Sequence, residues 1–158
     1  MTEHTGRCAC GSVEFVITDE PLFVNVCHCH RCQRESGSPF ACNVLIEADR
    51  LELRSGAVAP IRMPTDSGRA HDIHRCTACG APMWSICERL SPIRFIRVGN
   101  FDLASRAALR PKAQIFAQSK LPWVVMPESL PAFDGFYDIK ELWPQASIAR
   151  LMRALGKA

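Results

Sequence analysis

Seven of the nine cysteines fall into three short clusters, Cys8-x-Cys10, Cys27-x-Cys29-x-x-Cys32 and Cys76-x-x-Cys79. At such spacing two or three sulfurs project from one turn and converge on a single ion, so these thiols read as metal ligands before they read as disulfides. Two turns from distant parts of the chain complete a closed four-sulfur site at Cys8, Cys10, Cys76 and Cys79. Cys27, Cys29 and Cys32 then form a second site with three sulfurs and a vacant position. In zinc chemistry a closed tetrahedron holds a fold together, whereas three protein ligands leave room for water or substrate. The spacing predicts one structural and one reactive zinc.

A zinc ion held by three thiolates is a Lewis acid with an exchangeable position, able to bind an incoming thiol or polarise a carbonyl oxygen. Three sulfur donors load it with negative charge, which favours thiol chemistry over an acidic zinc-bound water. Cys42, His28 and His30 are the residues that would close the site and make both metals structural. Cys42 lies in an apolar run, 40–45, where a buried free cysteine is the ordinary expectation, and Cys87 beside Ile86 reads the same way. His28, between two ligands, is expected to turn away from the metal. His30 is the candidate proton shuttle, and for both His28 and His30 the plainer expectation is a surface histidine. His71 and His74 flank a strand and carry no motif.

The elements that must position these residues are mainly strands. Short β-branched and aromatic segments at 13–17, 22–26, 40–46, 51–53, 59–63, 72–75, 82–86, 93–98 and 113–116 are separated by Gly, Pro, Ser or Asp. Such a pattern predicts an antiparallel sheet fold rather than alternating strands and helices. The three-cysteine segment reads as a strand end running into the first turn of a helix. Gly11 and Gly80 each follow a cysteine pair, where a metal-binding turn often needs positive φ. Near the end, 138–143 reads as a helical turn or two and Pro144 opens the next helix. Ile148, Leu151, Met152 and Leu155 share one helical face, which is expected to pack on the sheet or, alternatively, to form a homodimer contact.

The chain of 158 residues is 47% hydrophobic and 22% charged, with a net charge of +3, as expected of one globular domain. Its arginines and lysines are scattered, so the basic footprint of a nucleic-acid binder is missing. No apolar run approaches the ~20 residues needed to cross a bilayer. The polar N-terminal run does not read as a secretory signal, and a cytoplasmic location with reduced thiols is expected.

The sequence resembles the glutathione-dependent formaldehyde-activating enzyme family, whose domain also occurs in centromere protein V. The resemblance rests on Gly6-Arg7-Cys8-Ala9-Cys10-Gly11, Cys27-His28-Cys29-His30-Arg31-Cys32, Ser36-Gly37-Ser38 with Phe40, and Cys76-Thr77-Ala78-Cys79-Gly80. It continues through Val98-Gly99-Asn100-Phe101-Asp102 and Ile115-Phe116, then Ser119 and Pro122-Trp123. It implies a small zinc-containing fold of antiparallel sheets, a β-tent similar to Mss4-type chaperones. Here that means a zinc domain over 1–135; the C-terminal helical extension over 136–158, expected to pack on the same domain, lies outside the resemblance. It also implies a structural zinc on Cys8, Cys10, Cys76 and Cys79 and an exchangeable zinc on Cys27, Cys29 and Cys32. The family's name-giving reaction joins glutathione to formaldehyde as S-hydroxymethylglutathione, a carbon–sulfur lyase reaction in reverse. Ser36, Ser38, Asn43 and Trp123 are pocket residues by family neighbourhood, against the plainer readings of helix cap, turn or core.

A zinc-dependent carbon–sulfur lyase is therefore the leading expectation. The alternative is a non-catalytic protein-interaction module stabilised by two structural zincs. A metal sensor or metallochaperone is a third, because three thiolates trap soft ions.

Overall fold

The computed structural model describes residues 3–65 and 67–157, leaving Met1, Thr2, Asp66 and Ala158 outside the described residues. The architecture is mainly β. Strands β1 (His4–Arg7), β2 (Glu14–Ile17) and β5 (Leu51–Ser55) form a small antiparallel sheet in the order β1-β2-β5. The larger sheet has seven strands: β3 (Phe23–Cys27), β4 (Ala41–Glu47), β6 (Val58–Arg62), β7 (His71–Cys76), β8 (Pro82–Cys87), β9 (Ile93–Arg97) and β10 (Ala113–Ile115). Their spatial order is β10-β3-β4-β9-β8-β7-β6, antiparallel throughout except for the parallel β10–β3 pair. Among the described residues there are four α-helices: α1 (His30–Ser36), α2 (Leu103–Ala108), α3 (Ile139–Leu142) and α4 (Gln145–Ala154).

Side chains alternate across a strand, and the central strands use both faces. Val24, Val44, Ile46 and Ile96 point into a core shared with Phe15 and Ile17 of the small sheet, where Phe15 meets Phe101 edge-on at 5.1 Å. Phe23, Leu45 and Ile93 point the other way, into a second core closed by Tyr137, Trp143 and Leu151. Trp143 stacks on Phe23 at 5.3 Å, and Tyr137 meets the same ring edge-on at 5.3 Å. Burial on both faces explains why β3 and β4 read as nearly continuous apolar runs.

The apolar face of α4 lies on this second core. Leu151 is buried, Ile148 and Leu155 pack against the cluster, and Met152 is left at the margin. Arg150 fixes the helix to β4 through two bonds to the Glu47 carboxylate, at 2.8 and 2.7 Å. No helix among the described residues is long and apolar enough to cross a membrane.

Two elements lack a sequence signal. Strand β1 is polar and short, and it fits because Gly6 has no side chain: a Cβ there would collide with the Phe15 ring and the Asn100 carbonyl. Helix α2 buries only Ser105 and leaves Leu103 exposed, so no apolar stripe announces it.

Candidate metal centres

The first cluster joins two similar turns. Past the end of β1, Cys8 donates its N–H to Val13 O (3.0 Å) and Gly11 N–H returns to Cys8 O (3.1 Å). At the end of β7, Cys76 donates to Ala81 O (3.0 Å) and Gly80 N–H returns to Cys76 O (2.9 Å). Gly11 and Gly80 close these turns at φ 78° and 72°, a conformation that residues with a Cβ adopt at a cost. A Cβ would meet no neighbour at either glycine, so dihedral angle rather than space makes the demand.

The sulfurs of Cys8, Cys10, Cys76 and Cys79 all lie within 4.8 Å of one another. Cys8 Sγ is 3.4 Å from Cys10 Sγ, which is 4.0 Å from Cys76 Sγ. A tetrahedron with metal–sulfur bonds of ~2.3 Å has edges of ~3.8 Å, so the cluster fits one tetrahedral ion. Cys8 and Cys76 are buried, while Cys10 and Cys79 face outward. The Ser12 hydroxyl stands over the sulfurs, 3.1 Å from Cys10 Sγ and 3.3 Å from Cys76 Sγ. Burial opposes ionisation of Cys8, yet the Val13 N–H at 3.2 Å and the hydroxyl and thiols around it bring its thiol down to about 5. Such a site is prepared for thiolate ligation.

The second cluster is wound on one local segment. Cys27 ends β3, Cys29 caps α1, and Cys32 lies in the first turn of that helix. Their three sulfurs also fall within 4.8 Å of one another, and among the described residues the group ends at three. The Cys32 N–H donates to Cys29 Sγ at 3.3 Å, so this sulfur serves as the helix N-cap. The Cys27 and Cys32 thiols, together with the N–H groups of Cys32 and Arg31, hold the Cys29 thiol down at about 2. Facing that thiolate, Cys27 is pushed up to about 12 and Cys32 is raised further. The trio thus shares protons around one thiolate, and a soft divalent ion suits it by displacing the remaining two.

Gln33 anchors the segment. Its amide donates to His28 O (2.8 Å) and Ser119 O (3.0 Å), tying α1 to the short turn at Ala117–Ser119. Just before that turn Phe116 holds φ 54°, a left-handed conformation that is costly for a bulky residue. Neither feature has a signature in the sequence.

Several expectations about neighbouring residues are now resolved by position. Cys42 shares a strand face with Val44 and Ile46 and packs on the inner core, opposite the face that carries Cys27, so period-two geometry keeps it out of the three-sulfur group. Burial pushes its thiol up to about 11. His28 is not a surface histidine: it is 1% exposed, its Nε2 lies 3.3 Å from Gln114 Oε1, and Phe40 meets it edge-on. His30 is exposed at the first turn of α1. Ser36 bonds back to Cys32 O at 2.6 Å, Ser38 to Phe40 O at 2.8 Å, and Asn43 is buried against Arg97. Ser38 and Asn43 thus meet the turn and core readings, while Ser36 bonds back within α1, whose caps are Cys29 and Gly37. Trp123 is 68% exposed. Cys87 departs from plain core filler, because its sulfur faces the ring of His71.

A crystal structure of a Rhodobacter sphaeroides protein, a structural genomics target, is 20% identical with a TM-score of 0.48, over 82% of this chain and 99% of that one. No curated protein matches. The family model described as glutathione-dependent formaldehyde-activating enzyme matches residues 3–119, a span that holds both cysteine clusters. With that match over well beyond half its length, the chain belongs to the glutathione-dependent formaldehyde-activating enzyme family.

Proposed function

We propose that the chain makes or splits the carbon–sulfur bond of a thiol–aldehyde adduct, S-hydroxymethylglutathione in the first instance, at Cys27, Cys29 and Cys32. The observation that carries this reading is the unequal pair of clusters: four sulfurs gather at one, and among the described residues only three gather at the other. Family membership adds glutathione and formaldehyde as the thiol and aldehyde to test first. Zinc, the ion both donor sets suit, would supply at the three-sulfur centre a Lewis acid that favours the thiolate and polarises the carbonyl.

The chain's own residues hold and orient. Cys27 is fixed by the sheet, and Cys29 and Cys32 are fixed by the capped turn of α1. Gln33 keeps that turn against Ala117–Ser119, which fixes the segment that carries the sulfurs. In the forward direction the substrate sulfur bonds to the carbonyl carbon, the π pair moves to oxygen, and the thiol proton ends on that oxygen. His30, exposed in the first turn of α1 next to Cys29, would carry this proton between sulfur, oxygen and solvent. Positioning the two reactants together supplies several kcal/mol of the barrier reduction.

The test is exchange NMR of glutathione and formaldehyde with metal-loaded protein. Faster adduct exchange is expected, and it should disappear in a Cys29→Ala variant that stays folded and retains one metal ion. An unaccelerated exchange in protein carrying two metal ions per chain would exclude this substrate pair and favour the interaction module.

A further inference from the structure

Outside both cysteine clusters, Cys87, His71 and Glu35 form a linked row. Cys87 and His71 are direct cross-strand partners on β8 and β7, and Cys87 Sγ lies 3.1 Å from His71 Nδ1. The other ring nitrogen, Nε2, lies 3.2 and 3.3 Å from the two oxygens of the Glu35 carboxylate. Glu35 descends from α1, its side chain is 2% exposed, and Arg97 Nη2 holds it from the far side at 3.4 Å. A sulfur, an imidazole and a buried carboxylate in this order form the arrangement of a nucleophile, its base and the group that orients the base. The Cys87 sulfur first, and Glu35 second, raise the proton affinity of His71 to about 9 against the effect of burial.

Cys87 is only half-buried and, with His71, lines a surface pocket. The described wall of that pocket also carries Arg31, Arg69 and Arg89 against one carboxylate, Glu88. Glu88 is itself engaged, accepting the Ala70 N–H at 2.7 Å. Three guanidinium groups around a thiol with an imidazole partner favour an anionic reactant.

We propose that Cys87 is a covalent capture site for small disulfides bearing carboxylates, distinct from the seven clustered cysteines. Cys87 attacks one sulfur of the disulfide as the thiolate, its proton resting on the His71 ring 3.1 Å away. The disulfide S–S bond breaks, its electron pair leaves on the second sulfur, and that thiolate takes the proton back from His71. The products are a mixed disulfide on Cys87 and one free thiol, the incoming disulfide being the oxidant. A second thiol reverses the step by the same exchange.

The experiment uses the full-length, metal-loaded chain with two disulfide probes, anionic dithiobis(nitrobenzoate) and uncharged dithiodipyridine, and locates each label by peptide mass mapping. Cys87 is expected to be labelled before Cys42. Its preference for the anionic probe should fall by about tenfold in an Arg69→Gln/Arg89→Gln double variant, whose exposed positions spare the fold. His71→Gln, verified as folded by circular dichroism, should slow both probes alike. Labelling of Cys42 as fast as Cys87 would overturn the assigned nucleophile. An unchanged probe preference in the double variant would overturn the anionic specificity.

Discussion

The two cysteine clusters hold similar sulfurs by opposite means. Cys8, Cys10, Cys76 and Cys79 come from turns that follow strands of two different sheets, brought together by the sulfurs, the Ser12 hydroxyl, and the 55–57 turn that bonds to Ser12 and to Thr77. Cys27, Cys29 and Cys32 come from one strand–helix junction, which the β3 pairings, the Gln33 bridges and Glu35 hold in place without any ion. In the first region an ion would tie together turns from two sheets; in the second the protein's own bonds already set the sulfurs. A centre of the second kind can exchange a ligand without loosening the fold, which is what turnover demands.

The sharpest way to break this contrast is to remove one buried sulfur from the first cluster. Cys76→Ala should cost more than about 4 kcal/mol, read in urea denaturation, and abolish binding of one metal equivalent. Next in size is Glu35→Gln, which strands His71 and Arg97 as buried cations. It should cost about 3–5 kcal/mol by the same measurement although no sulfur is touched. Stability unaffected by that change would mean α1 depends on the metal after all. Cys29→Ala should cost only about 1 kcal/mol, the value of a helix N-cap, while one metal equivalent is lost.

The smallest effect is a pH dependence. His71 faces Cys87 on β8 and Glu35 on α1, with Arg97 of β9 beyond Glu35, and its folded-state value of about 9 lies above the ordinary 6.5. Its contribution to stability is complete below about 6.5 and is lost as pH rises through about 9. The stability difference between the parent chain and His71→Gln should therefore shrink across that window. Denaturation curves at several pH values measure it directly.

Both cysteine clusters were legible in the sequence because their parts are local: a pair or triplet within one turn announces itself by spacing. The apolar run around Cys42 pointed to core filler, but its exclusion from the three-sulfur group rests on the β3–β4 register, which sets residues 42, 44 and 46 on one face and Cys27 on the other. Cys87, His71 and Glu35 could not be found that way. They meet only through the register of β7 on β8 and the docking of α1, and no spacing along the chain encodes either. His28 likewise resembles a surface residue until the parallel strand β10 brings Gln114 beside it. Sequence periodicity gave away the strands with apolar alternation and passed over β1, whose place depends on the missing side chain of Gly6.

The second core bears on where this molecule can be cut. The family match ends at residue 119, yet Tyr137, Trp143 and Leu151 close the sheet face to which Cys27 belongs. A fragment ending with the matched span would present Phe23 and Leu22 to water beside the three-cysteine segment. The boundary of likeness and the boundary of the folding unit therefore do not coincide. Any transplant of this centre into another protein must carry the C-terminal helices, or an equivalent apolar cover, along with the cysteines.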